Sequence, residues 1–187
     1  MIKIGKYSEK PEIRGSLSNL TIGKFCSMPI PKVIHQIWTG SKEIPEKYLK
    51  FCDSWKKFNP EWQVIFWKDE QLKKQFKKMY PDTKYFYEAD INTVMKTDIL
   101  RFELLRLYGG FYADLDMECL KPLDEFCKDE FTVGWEWVGE PRSVSTGFIG
   151  CAANHSITRA MLFHIFSSLY TKTPTTKWDQ LQECVGA

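Results

Sequence analysis

The chain changes character at Gly109-Gly110. Before the pair, Val94, Met95, Phe102, Leu105 and Tyr108 fall near helical spacing, which predicts an amphipathic helix over residues 92–108. The glycines end it, as a residue in the left-handed region after a helix does. After the pair comes a short aromatic-apolar run, Phe111-Tyr112-Ala113, leading into Asp114-Leu115-Asp116. In extended backbone, side chains alternate faces, so Asp114 and Asp116 point the same way while Leu115 points into packing. A helix that passes through two glycines into a strand ending on carboxylates fits an α/β layer and sets the search for chemistry at its end.

At the mouth of a sheet, two such carboxylates can hold a divalent cation and leave coordination positions for phosphate oxygens and water. A hard, oxygen-ligated cation bridging a diphosphate makes a nucleoside diphosphate a good leaving group. The plain alternative for Asp114 and Asp116 is a solvated acidic turn. Just upstream, Asp98 and Arg101 stand three apart and share a helical face. They read either as an intrahelical ion pair or as hydrogen-bonding groups aimed at a polar ligand near the aspartates. Pro31-Lys32-Val33-Ile34-His35-Gln36-Ile37-Trp38 is an apolar run behind a proline and before Thr39-Gly40, a strand followed by a loop. Trp38 thus stands at the carboxyl end of a strand, where open α/β sheets bind ligands, with ordinary core packing as the other reading.

Together these pieces resemble the glycosyltransferases with a D-x-D sugar-binding region. That group includes fungal Golgi mannosyltransferases, bacterial capsular-polysaccharide transferases and, more distantly, the catalytic domains of large glucosylating toxins. The resemblance is carried by residues 30–38, then Ser54-Trp55 with Asn59-Pro60 and Trp62, then Asp98-x-x-Arg101, then residues 109–116, and it covers residues 29–155. It implies a GT-A-type, Rossmann-like nucleotide-sugar domain with a mixed, mostly parallel sheet. It also implies a nucleotide-sugar donor, a divalent cation (manganese or magnesium), retention of anomeric configuration, and a glycan or lipid-linked acceptor of the kind used in polysaccharide and capsule biosynthesis. Residue by residue, it implies that Asp116 ligates the metal, and that Asp114 contacts the donor ribose and reaches the metal through water. Asp98 and Arg101 would hydrogen-bond the transferred sugar and serve catalysis. Trp38 would stack on the base, and the backbone of Ile37 would read its edge. No residue stands out as a covalent nucleophile. His35 and His155 could be offered as bases, or are a packed strand histidine and a helix-cap histidine.

Composition agrees with a single domain. The 187 residues, 43% hydrophobic and 15% aromatic, describe a globular chain able to bury a substantial core. A formal charge of +2 is too near balance to argue for nucleic acid. Lys73-Lys74 and Lys77-Lys78 read as a solvated helix face, or as a patch attracting phosphate or an anionic membrane surface. The six cysteines form no C-x-x-C, and no histidine sits at zinc-finger spacing, so a structural zinc site is not expected and the thiols are read as reduced. Neither a signal-peptide core nor a run of ~20 apolar residues is found, which gives the expectation of a soluble, cytoplasmic chain, with peripheral attachment at the inner face of a membrane left open.

Along the sequence, helices are expected over residues 45–58, from a cap at Asp69 to about Tyr80, over 92–108 and over 155–169. Strands are expected over 31–38, 62–67, 110–114, 131–138 and 144–150. Residues 81–90 read as a less regular connection. Strand-helix alternation argues for a mixed α/β layer. Residues 1–28 stand apart as an arm or edge hairpin, where Ile4-Gly5-Lys6 and Ile22-Gly23-Lys24 weakly echo a hexapeptide-repeat turn. The transferase domain is expected over 29–187, truncated relative to the family, whose members usually continue past the helix after His155 and complete the metal shell and acceptor pocket there. A non-catalytic nucleotide-sugar-binding module is the competing class. A hydrolase with paired carboxylates fits less well, because glycosidase acid and base sit ~5–10 Å apart on separate segments.

Overall fold

In the computed structural model, the structure describes residues 28–40, 42–137 and 143–171. The N-terminal arm with its repeat echo therefore lies outside the described residues. Five strands form one sheet in the order β2-β1-β3-β5-β4: β1 (Val33–Ile37), β2 (Gln63–Trp67), β3 (Gly110–Ala113), β4 (Phe131–Trp137) and β5 (Ser143–Cys151). β1 runs parallel to β2 and to β3, while β5 is antiparallel to both β3 and β4. The sheet is mixed, as expected, with a parallel half on one side of β3 and an antiparallel half on the other.

The two crossovers use opposite faces. α1 (Glu46–Phe58) links β1 to β2, and its Trp55 packs with Ile34, Trp62, Phe111, Phe148 and Phe126 on one face. Helices α2 (Asp69–Gln75), α3 (Pro81–Glu88) and α4 (Thr93–Tyr108) link β2 to β3 over the other face. There Leu72, Phe86 and Leu100 meet Ile37, Tyr112 and Ile149 together with α5 (Ser156–Thr171). Strand periodicity sorts these contacts: Phe111 and Ala113 belong to the first cluster and Tyr112, between them, to the second. The chain thus goes out from β1 to β2 and returns to β3 on the other side of β1. That reversal is a topological switch point, and the crevice it opens lies beyond the carboxyl ends of β1 and β3.

Three expectations need correction. Residues 81–90 are not an irregular connection; Pro81 starts α3 from its first position, where the missing N–H is no loss, and Thr83 and Phe86 bury its inner face. Consequently the helix begun at Asp69 stops at Gln75 instead of reaching Tyr80. And α4 is not amphipathic: Asp98 through Leu105 are all buried, while Val94, expected on the apolar face, is 54% exposed. Its charged residues escape solvent in pairs. Glu103 accepts from Arg106 Nε (2.9 Å) and from the Tyr80 backbone N–H (2.6 Å), which fastens the start of α3 to α4. α4 ends at the glycine pair as expected, with Gly109 at φ +61°; at its start the Asn92 side chain caps it, accepting from the Met95 N–H (2.8 Å). Gly110 also has positive φ, and a Cβ there would lie 2.5 Å from the Val33 carbonyl oxygen, so only glycine lets β3 start this close to β1.

Candidate functional site

At the switch point, β3 ends at Ala113, but its ladder runs one residue further, with Asp114 N–H donating to Gly147 O on β5 (2.9 Å). The chain then turns: Met117 N–H donates to Asp114 O (3.2 Å), which places Leu115 and Asp116 at the centre of a β-turn. The two carboxylates are therefore presented by a strand end and a turn, not by continuous extended backbone. Leu115 is buried, as expected, Asp114 is half-buried and Asp116 is exposed.

Asp114 is held from below. The Tyr112 hydroxyl, on the same strand face two residues back, donates to Asp114 Oδ1 (2.5 Å). Arg101 Nη2 lies 3.6 Å from that oxygen and 2.7 Å from Asp98 Oδ1, while Nη1 donates to the Thr146 carbonyl (2.6 Å) and hydroxyl (3.0 Å) on β5. The guanidinium also stacks over the Tyr112 ring at 4.7 Å. Asp98 and Arg101, the pair left open between ion pair and ligand contact, are thus an ion pair that is buried and tied to the first aspartate. Burial pushes Asp98 up to about 6, against the lowering effect of Arg101, with Asp114 adding to the rise. Burial and the neighbouring Asp114 likewise raise the Tyr112 phenol, so it stays a donor. Gly147 completes the cradle: a Cβ there would lie 2.6 Å from Asp114 Oδ2 and 2.6 Å from Met117 Cε.

The turn is clamped from the α1 side by Ser54, Trp55 and Asn59, residues that carry the resemblance but had no assigned role. Trp55 Nε1–H donates to the Met117 carbonyl (3.0 Å), and Ser54 Oγ accepts from the Cys119 N–H (2.8 Å). The buried Asn59 accepts from the Leu123 N–H (2.8 Å) and donates to the Trp55 carbonyl (3.0 Å). Ser54-Trp55 and Asn59 therefore fix the segment leaving the acidic turn to the back of the sheet.

Across the crevice, Trp38 follows β1 directly and belongs to neither core cluster. Its N–H donates to Trp67 O (2.9 Å) and its ring Nε1–H to Lys42 O (2.6 Å). It lines a cleft of about 710 Å³ with Gly40, Lys42, Ile44, Leu49 and residues 68–71. Ile37, by contrast, is buried in the core, so only its main chain is available to a ligand. This cleft lies at the β1 and β2 end of the crevice, and the acidic turn at the β3 end.

Neither histidine is a candidate base. Trp67 Nε1–H donates to His35 Nδ1 (3.0 Å), so the proton sits on Nε2, which donates to Gly109 O (2.8 Å). Burial holds this imidazole down at about 4, neutral and inside the fold. His155 precedes α5, and its Nδ1 accepts from the Ile157 N–H (3.3 Å). Among the described residues, Cys52, Cys119, Cys127 and Cys151 carry free thiols, and burial raises each of them.

Asp114 and Asp116 supply hard carboxylate oxygens that fit magnesium or manganese. Among the described residues no cluster of three or more His, Cys, Asp or Glu could hold a metal ion by itself. Such a donor set suits a cation that takes its other ligands from a bound diphosphate and water. Among those residues, too, no helix is long and apolar enough to cross a membrane.

Residues 45–132 match the family described as the glycosyltransferase sugar-binding region containing DXD motif. Inositol phosphoceramide mannosyltransferase 3 of Schizosaccharomyces pombe is 31% identical over 129 residues, 69% of this chain and 35% of that protein. The initiation-specific alpha-1,6-mannosyltransferase of Candida albicans is 33% identical over 106 residues, 54% of this chain and 28% of that protein. The chain thus spans about a third of the length of these relatives. Among solved structures, PaToxG Glycosyltransferase superposes with a TM-score of 0.62 at 20% identity, over 84% of this chain and 71% of that one, and so shares the GT-A-type fold. The Asp114-Leu115-Asp116 turn and the switch-point crevice agree with these matches, and residues 45–132 carry the glycosyltransferase sugar-binding region containing the DXD motif.

Proposed function

We propose that the chain is the catalytic part of a metal-dependent glycosyltransferase that moves a hexose from a nucleotide-diphosphate sugar to a glycan or lipid-linked acceptor, with retention of configuration. The observation that carries this reading is the acidic turn at the switch point, with Asp114 held by Tyr112 and Arg101 and Asp116 left exposed. Residues 29–187 act as one transferase domain. The names of the fungal relatives make mannose the first sugar to try and a phosphoinositol lipid or a glycan the first acceptors.

Trp38 takes the nucleotide base on its ring, with the main chain of Ile37 reading the base edge and the cleft beside Trp38 receiving the nucleoside. Asp116 and Asp114 would hold the cation, Asp116 directly and Asp114 while contacting the ribose; the chemistry supplied by magnesium or manganese there would be neutralisation of the departing diphosphate. The chain's own work is placement. Asp98 accepts from the hydroxyls of the transferred sugar, and Arg101 steadies Asp98 and Asp114, its charge favouring the ionised form of Asp98. His35 stays out of the chemistry. Peripheral membrane attachment through the lysines of residues 73–78 would bring the site to a lipid acceptor.

A screen of nucleotide sugars tests the proposal directly. GDP-mannose, UDP-glucose and their relatives are each added with and without manganese, followed by thermal shift and by nucleotide release. The expected result is one donor class that stabilises the protein only with metal and is turned over. Metal-dependent binding of a donor with no hydrolysis or transfer to any acceptor would favour the non-catalytic binding module.

A further inference from the structure

Asp69 stands at the first position of α2 and lines the cleft beside Trp38. Its carboxylate is fully engaged inside the protein. Oδ2 accepts the backbone N–H of Gly40 (2.9 Å), and Oδ1 accepts the Tyr87 hydroxyl on α3. Gly40 belongs to the loop that follows Trp38, and that loop receives the Trp38 ring, whose Nε1–H donates to Lys42 O (2.6 Å). Tyr87 in turn is anchored: its ring meets Phe76 edge-on at 5.0 Å and carries the Lys96 ammonium at 5.6 Å, so α2, α3 and the start of α4 converge on it.

Trp38 has two kinds of support. Its main chain is fixed by β2 through Trp67 O (2.9 Å), while the ring Nε1–H is bonded to Lys42 O in the segment that follows (2.6 Å). At Gly40 that segment is exposed, has φ +97°, and a Cβ there would meet nothing within 4 Å. The bond from Gly40 to Asp69 ties it to the helical layer. We propose that Asp69, backed by Tyr87, is a positioning residue that sets the Trp38 ring for the nucleotide base without itself bonding the ligand. This rests on the reading of Trp38 as the base-stacking residue. Once the latch is lost, the loop and the ring sample several arrangements, and ordering them falls on the binding step; fixing one such side chain changes affinity by about 3- to 10-fold.

The test is a mutant cycle on the full chain. Uridine diphosphate and guanosine diphosphate are titrated separately with manganese, and the tighter of the two is carried through Asp69→Ala, Trp38→Ala, the double variant, Tyr87→Phe and Asp69→Asn. Asp69→Ala is expected to weaken binding by about 3- to 10-fold, but by less than about twofold in the Trp38→Ala background, because the group it positions is gone. Asp69→Asn keeps a carbonyl acceptor for the Gly40 N–H and should stay within about twofold of wild type. Tyr87→Phe, which leaves Asp69 in place, gives a smaller loss in the same direction and serves if Asp69→Ala does not fold. Full additivity of Asp69→Ala and Trp38→Ala would mean that Asp69 contacts the ligand itself and would overturn the proposal, as would wild-type affinity in Asp69→Ala. If Trp38→Ala binds like wild type, the stacking reading falls first and the latch with it.

Discussion

Gly147 makes a demanding test of how the acidic turn is held. It is neither charged nor in the left-handed region, yet a methyl on its Cα would lie 2.6 Å from Asp114 Oδ2. Normal contact would require the carboxylate to retreat by about 0.8 Å. Met117 Cε, the other atom in the way at 2.6 Å, ends a flexible side chain and can move aside. Asp114 cannot move as freely, because Oδ1 is bonded to the Tyr112 hydroxyl at 2.5 Å. A retreat of that size takes the bond past useful length and leaves a buried phenol without its acceptor, at about 1–3 kcal/mol. Gly147→Ala should therefore lower the melting temperature by about 3–8 °C. It should also weaken manganese-dependent nucleoside-diphosphate binding by about 5- to 100-fold. Tyr112→Phe removes the same bond from the other side, so the double variant should be little worse than the worse single one. Calorimetric titration and thermal unfolding read both quantities. Wild-type binding in Gly147→Ala, or losses that add fully in the double variant, would refute the cradle.

Three further outcomes are expected. Trp38→Ala should weaken nucleoside-diphosphate binding by about 1–3 kcal/mol with little change in melting temperature, and calorimetry beside thermal unfolding checks both. Asp98→Asn and Arg101→Lys should each cut donor hydrolysis or transfer by about 100-fold or more, while nucleotide affinity falls much less; parallel loss of both, read by nucleotide release and calorimetry, would leave the pair a structural one. His35 makes stability depend on acid: its folded value of about 4 lies below the ordinary 6.5, so the unfolded chain binds the proton first. Stability is full above about pH 6.5 and falls as pH drops towards 4, by about 2 kcal/mol between pH 7 and pH 5. Urea unfolding of wild type against His35→Gln at the two pH values isolates that part, and an unchanged pH dependence in the variant would contradict it.

What was legible in the sequence was local. Pro45 ahead of α1 and the glycine pair where α4 gives way to β3 act within a turn of themselves, and each does what its chemistry dictates. The same local knowledge could have found α3, since a proline after Tyr80 can start a helix as well as break one. Asp98, Arg101 and Glu103 misled the reading of α4, because charges on a helix suggest a wet face. Here they are buried in pairs whose partners include Thr146, 45 residues away, and the Tyr80 main chain, 23 away. Period-two alternation, which put Asp114 and Asp116 on one face, holds as far as Asp114, on the side of Tyr112, and fails beyond it, where the backbone turns. The role of Asn59 was out of reach, because its bond to Leu123 spans 64 residues and exists only once α1 is folded against the sheet.

On the proposed function, the Asp114–Asp116 turn binds a nucleoside diphosphate through a divalent cation. Titration of uridine and guanosine diphosphate into the protein by calorimetry, with manganese and with chelator, tests it most directly when repeated on Asp116→Ala. The expected result is tight binding of one nucleotide with manganese, a loss of at least about tenfold with chelator, and no metal dependence in Asp116→Ala. Equal affinity with and without metal, or metal-dependent binding that survives in Asp116→Ala, would contradict it.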